Sequence, residues 1–203
     1  MLIAISGSQG SGKSTIINEL VKREFHDGQE YVHAKTIDRK TSRSILSEWN
    51  VTLEEVNNNP DLTLKFQDEI ILRKYNDECD AVNSSQLYYG ERTYADLFTY
   101  ALISLGKDNK YSDWLNEYYK RCMLFQQHYE HVYYLRAGYF NVVSDGVRGA
   151  GKHYSRMVDL VMLDYTQQMT MSSKINTIQT PDLEERINII ATQSEYNWKN
   201  KTK

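Results

Sequence analysis

Met1-Leu2-Ile3-Ala4-Ile5-Ser6, followed directly by Gly7-Ser8-Gln9-Gly10-Ser11-Gly12-Lys13-Ser14, is the stretch that decides the fold. The first part is an apolar run suited to a buried strand. The second matches every fixed position of G-x-x-x-x-G-K-S, a phosphate-binding loop. Its glycines let the backbone turn tightly, with N–H groups aimed inward at phosphate oxygens. Beyond it Ile16, Ile17, Leu20 and Val21 recur at helical spacing, so a helix begins near Lys13 and adds the positive end of its dipole to the loop. Strand, loop and helix in this order are the context that the motif requires. Gly7, Gly10, Ser11, Gly12, Lys13, Ser14 and Thr15 are therefore expected to bind the nucleotide. Lys13 would reach the β- and γ-phosphates, and Ser14 would hold Mg²⁺, which makes ATP and Mg²⁺ the expected cofactors.

Outward from this unit, strand-like runs recur at Leu2–Ser6, Tyr31–Ile37, Gln86–Tyr89, His131–Leu135 and Lys174–Ile178, with helical or loop-like segments between them. The alternation predicts an α/β fold: a five-stranded parallel sheet with helices on both faces and ligands gathered at the carboxyl ends of its strands. Asn57-Asn58-Asn59-Pro60-Asp61 reads as a breaker, and the spacing of Leu62, Leu64, Phe66, Ile70, Ile71 and Tyr75 predicts a helix over Leu62–Glu78. Gly106–Tyr119 reads as a polar loop leading into a helix that starts near Asp113, and only the tail Asn197–Lys203 reads as disordered. Of the tyrosine pairs 88-89 and 133-134, at least one ring each should pack beneath a helix, because neighbours in a strand face opposite sides.

With 203 residues, the chain fits a single domain spanning 1–203. A net charge of −3 argues against a generally basic nucleic-acid surface and favours a small acceptor. Cys79 and Cys122 are far apart and lack metal-ligand spacing, which points to reduced packing residues in a cytoplasmic protein. The opening residues carry neither a basic n-region nor an apolar span, so neither a secretory signal nor a membrane segment is expected. The five histidines form no metal-ligand pattern.

Glu91-Arg92-Thr93-Tyr94-Ala95-Asp96-Leu97-Phe98-Thr99-Tyr100-Ala101 follows the third strand, where its charges would lie beside the phosphate loop. The segment resembles the E-R-S or D-R motif of deoxynucleoside kinases, thymidylate kinases and phage- or bacterial-type P-loop nucleotide kinases with an AAA_28-like pattern. The resemblance implies that Arg92 contacts phosphate or the reacting oxygen, and that Glu91 lies near the metal or the attacking hydroxyl. In Ile37-Asp38-Arg39-Lys40-Thr41-Ser42-Arg43, Asp38 resembles the acceptor-side carboxylate of these kinases. Phosphoryl transfer through a loose transition state needs positioning and charge compensation, and Asp38, Arg43 and Arg92 would supply both. Whether Arg39 or Arg43 faces the acceptor is left open. Phe66-Gln67 is similar to the Phe-Gln on the base-contacting helix of deoxynucleoside kinases, where the amide pairs with a nucleobase edge.

Tyr133-Tyr134-Leu135-Arg136-Ala137 resembles the fourth strand of the same kinases. The segment after it, about 144–156, occupies the place of their lid. Its own residues support a lid: Gly146, Gly149 and Gly151 give freedom, while Arg148, Lys152 and Arg156 can close over a triphosphate and exclude water. Thr177–Arg186 reads as a last strand, a turn and a helix; in related kinases the equivalent loop borders the adenine.

The expectation from these parts is a P-loop kinase fold with a short basic lid, transferring the γ-phosphoryl group of ATP to a nucleoside monophosphate, with a deoxy sugar favoured. Arginines on both sides of the acceptor favour a substrate that already carries phosphate. A deoxynucleoside kinase, a kinase of a DNA or RNA hydroxyl (a 5′ end or a hydroxymethylated base), and a nucleotide-dependent ATPase switch are the alternatives. Nucleic acid is thus the less favoured partner, no membrane partner is expected, and a homodimer is compatible with the sequence.

Overall fold

A continuous apolar run has no polar face to offer water, and β1, Leu2–Ser6, is accordingly buried at all five of its positions. The computed structural model describes residues 1–27, 30–33, 35–37, 40–83, 86–138 and 152–201, with backbone alone for 24–27, 30–33, 35–37, 40, 152 and 201. After β1 come α1 (Lys13–Leu20), β2 (Glu24–Asp27), β3 (Glu30–His33), β4 (Lys35–Ile37), α2 (Lys40–Trp49), α3 (Leu53–Asn58) and α4 (Pro60–Val82). The chain continues through β5 (Tyr88–Glu91), α5 (Tyr94–Leu105), α6 (Ser112–Gln126), β6 (His131–Leu135), α7 (Lys152–Met169), β7 (Ile175–Ile178) and α8 (Leu183–Lys201).

Among the described residues the main sheet has five strands in the order β4-β5-β1-β6-β7, and every neighbouring pair is parallel. Side-chain alternation along β1 divides the core. Ile3 and Ile5 pack with Ile16, Ile17 and Leu20 of α1 and with Ile187, Ile190 and Trp198 of α8. Leu2 and Ala4 face the other way, into a cluster with Ile71 of α4, Ala95 and Phe98 of α5, and Tyr118 and Cys122 of α6. Both rings of the pair Tyr133-Tyr134 are buried, as is Tyr89 beside a half-buried Tyr88. Burial also pushes the Cys122 thiol up, in keeping with a packing role.

The parallel sheet with helices on both faces expected from the strand–helix alternation is present, with local corrections. Tyr31–Ile37 does not form one strand. Glu30–His33 pairs antiparallel with Glu24–Asp27, Asp27 opposite Glu30, and only Lys35–Ile37 joins the main sheet. The overlooked signal is Asp27-Gly28 between two strand-like runs, a hairpin signature. The Asn-Pro breaker proves to be a helix cap: Asn59 accepts from the Leu62 N–H at 3.2 Å, and Pro60 takes the first helical position, so α4 begins two residues before Leu62 and runs on to Val82. The third strand is Tyr88–Glu91 rather than Gln86–Tyr89. Within Gly106–Tyr119, helical structure starts at a 3₁₀ turn over Asn109–Tyr111 and continues as α6 from Ser112, next to the expected start at Asp113. Asn197–Lys201 is helical, not disordered, because Trp198 is buried in the core beside α1. Of the expected lid, 144–151 lies outside the described residues, and the remainder opens α7.

Candidate active site

The loop between β1 and α1 stands at the carboxyl end of the central strand, and its glycines are there for steric reasons. Gly7 (φ 138°), Gly10 (φ 74°) and Gly12 (φ 92°) have backbone angles that L side chains avoid. A Cβ on Gly7 would stand 2.4 Å from the Leu135 carbonyl oxygen at the end of β6. The first turn of α1 carries no acidic residue, so its positive end stays available to an anion. Lys13 is buried over its own loop, donating to the carbonyls of Gly7 (2.6 Å) and Ser8 (2.8 Å) and to Ser11 Oγ (3.3 Å). The ammonium is thereby held at the mouth of the cradle that phosphate oxygens would occupy. Ser14 and Thr15 are exposed.

β5 ends beside β1, with Ile5 opposite Glu91, and this register carries Glu91 to the start of α1. Ser14 Oγ donates to Glu91 Oε1 at 3.0 Å. A hydroxyl and a carboxylate side by side next to a phosphate cradle suit Mg²⁺, which takes one or two protein ligands and fills its octahedron with phosphate oxygens and water. Among the described residues no cluster of three or more His, Cys, Asp or Glu side chains could hold a metal without such help.

Arg92 follows with a left-handed backbone (φ 71°), a strained conformation for a bulky residue and one that concentrates at functional sites. Its guanidinium lies 5.0 Å from the centre of the Tyr100 ring. Below it Asp96 is fully buried and accepts from the Ser6 hydroxyl and, at 2.8 Å, from Thr93 Oγ1. Burial pushes the Asp96 carboxyl up; Lys13, the two hydroxyls and Arg92 act in the opposite direction. Gln126 fixes the helix that carries Asp96, since its Oε1 accepts from the N–H groups of Tyr94 (3.0 Å) and Ala95 (3.3 Å). Among the described residues, three buried polar atoms at this site, Ser8 Oγ, Arg92 Nε and Asp96 Oδ2, have no hydrogen-bond partner. Such orphans are costly in a finished core and are expected where a polar ligand completes the site.

The structure thus gathers Gly7, Gly10, Ser11, Gly12, Lys13, Ser14, Glu91 and Arg92 around one cradle. Gln67 is buried on α4, where its Oε1 accepts from Tyr118 OH at 3.0 Å. Arg43 is exposed on α2, a turn beyond the end of β4. Asp38, Arg39 and Arg148 lie outside the described residues, and Lys152 is described only as the first residue of α7. Asp96 escaped the sequence reading, although Thr93-x-x-Asp96 has the spacing of a helix cap. Arg186 escaped it as well: it is fully buried and donates to the Ser11 carbonyl at 2.6 Å.

Solved structures share this architecture. A NadR protein in complex with NR aligns over 95% of this chain and 51% of its own, with 13% identity and a TM-score of 0.64. A NadR protein in complex with NAD and AMP-PNP aligns over 98% and 49%, with 10% identity and a TM-score of 0.60. The chain spans about half the length of these NadR proteins. Deoxyadenosine kinase from M. mycoides with bound dATP aligns over 95% of this chain and 98% of its own, with 16% identity and a TM-score of 0.55. At such identities the likeness is one of fold. No curated protein sequence matches significantly. The sequence profile of AAA_28, described as an AAA domain, matches residues 2–186, and on that match the chain belongs to the AAA_28 family.

Proposed function

We propose that the protein is an ATP-dependent phosphotransferase whose acceptor is a (deoxy)nucleoside monophosphate. The observation that carries this reading is the contact between Ser14 and Glu91 beside a loop built from Gly7, Gly10, Gly12 and Lys13. Ser14 and Glu91 would hold Mg²⁺, which when bound neutralises charge developing on the phosphate oxygens. Lys13 would turn from its own carbonyls to the β- and γ-phosphates, and Arg92, pinned over Tyr100, would compensate charge on the transferred group. Asp38 would orient the attacking hydroxyl and Arg39 or Arg43 the acceptor phosphate, with Arg148 and Lys152 closing from the lid. We place the enzyme in the cytoplasm, where ATP is abundant and Cys79 and Cys122 stay free thiols. None of the described helices is long and apolar enough to cross a membrane.

A deoxynucleoside kinase is the second reading. It is favoured by the end-to-end alignment with deoxyadenosine kinase and by the buried Phe66-Gln67 pair on α4.

Labelled ATP offered with nucleosides, nucleoside monophosphates or oligonucleotides tests the assignment, and turnover is expected only with an added monophosphate. Turnover with ATP alone would favour an ATPase switch, and labelling of oligonucleotides a polynucleotide kinase. Within this reading Arg43→Ala should mainly raise the acceptor KM, whereas Asp38→Asn should mainly lower kcat, with the ATP KM little changed in both. Unaltered kinetics in Arg43→Ala on every acceptor would remove the main reason for preferring monophosphates. Arg92→Ala should lower kcat by roughly a hundredfold, the scale for losing a charged donor aimed at a reacting group. A variant that shifts only the melting temperature would make Arg92 a structural residue.

A further inference from the structure

Leu183-Glu184-Glu185-Arg186 opens α8 with three charged residues in a row, and the last of them, Arg186, is completely buried. Its guanidinium donates to three backbone carbonyls: Nη1 to Ser11 at 2.6 Å, Nε to Thr180 at 2.6 Å and Nη2 to Arg136 at 3.3 Å. These carbonyls belong to the loops that leave the carboxyl ends of β1, β7 and β6. A planar fork with fixed N–H directions satisfies three such acceptors in one mutual arrangement only. Burying a guanidinium is costly, and the hydrogen bonds that offset the cost are lost if any of the three loops moves away.

The two sides of the phosphate loop have different partners. Ser14 and Glu91, the residues that would hold the metal, stand on the side of β5, while sheet order puts β6 and β7 on the opposite side. The nucleoside half of a donor, extending away from its transferred phosphate, therefore runs toward the loops that Arg186 holds. The path continues from Arg136, whose own guanidinium pairs at 3.1 Å with Asp159 of α7. Asp159, itself buried, accepts from Tyr134 OH at 3.0 Å and from the Ala137 N–H at 3.1 Å.

We propose that Arg186 is a positioning residue that joins the phosphate loop and the loop after β7 into one rigid unit, so that the phosphates and the nucleoside of the donor are held in register. This rests on the nucleotide-binding reading above. Its signature is selectivity: a ligand that needs only the phosphate loop should depend on Arg186 much less than one that needs both loops.

The test is calorimetric titration of ATP and of inorganic tripolyphosphate into the wild type, Arg186→Lys and Pro181→Gly, at a temperature where circular dichroism shows each protein folded. Lysine keeps the charge but cannot reproduce the fork, and glycine at 181 loosens the same loop without touching Arg186. Arg186→Lys is expected to weaken ATP about tenfold or more and tripolyphosphate less than about threefold, as loss of pre-organisation predicts. Pro181→Gly should show the same selectivity with a smaller change. Equal weakening of both ligands, or unchanged ATP binding, overturns the proposal. Should Arg186→Lys fail to fold, Pro181→Gly decides by the same criterion. A wild type that binds neither ligand overturns the nucleotide-binding reading itself, and the inference with it.

Discussion

Lys13→Ala is expected to lower phosphoryl transfer by roughly a thousandfold or more, on the scale for removing a charged group that stabilises a transferring phosphoryl. The ammonium is bonded to Gly7, Ser8 and Ser11, and it is buried. Steady-state kinetics with labelled ATP, beside a circular dichroism melt of the same sample, would check the result. A folded Lys13→Ala protein with near-normal turnover would sink the kinase assignment. The substitution should also alter the response to pH. Burial raises the Asp96 pKa, and Lys13 is one of the groups that oppose the rise. Without Lys13 the folded carboxyl binds its proton more tightly, so stability present below the unfolded Asp pKa is lost as pH climbs through the raised folded value. The difference in melting temperature between wild type and Lys13→Ala should therefore widen from acid toward neutral pH.

The second large effect is on folding. Lys74 and Glu78 of α4 form an ion pair at 2.6 Å in which the carboxylate is completely buried, and Tyr129 OH donates to Glu78 Oε1 at 2.9 Å. The Lys74 ammonium also stands 5.5 Å from the centre of the Tyr94 ring. Lys74→Met leaves a buried carboxylate with a hydroxyl but without its countercharge, which should cost about 3–5 kcal/mol. For a chain of this length that lowers the melting temperature by on the order of 10 °C. Replacing the whole set, with Lys74→Met, Glu78→Leu and Tyr129→Phe together, should recover most of the loss, since it removes the buried carboxylate and the Tyr129 hydroxyl along with the countercharge. Denaturant melts of the single and triple variants would decide. A triple variant no more stable than the single one would mean that the pair, rather than its desolvation, governs stability here.

The sequence was most legible where chemistry depends on neighbours along the chain. Gly7 to Ser14 located the cradle, and the charges after the third strand located Glu91, because a parallel sheet brings the ends of its strands together. It was least legible where the environment of a charge depends on burial. Lys74 and Glu78 have the spacing of an exposed helical pair, and Arg186 follows two glutamates at the start of a helix. Only tertiary packing turns these charges inward. The hairpin Glu24–His33 was missed because alternation of strands and helices favoured a single parallel strand there, although Asp27-Gly28 marked the turn.

Trp198 gives the molecule a built-in optical probe. Of the three tryptophans, Trp49 and Trp114 are partly exposed, whereas Trp198 is buried against Ile17 and Leu20 of α1, the helix that springs from the phosphate loop. In a background carrying Trp49→Phe and Trp114→Phe, the emission of the remaining indole would read the seating of that helix, and a nucleotide that shifts it could be followed by fluorescence without an attached dye.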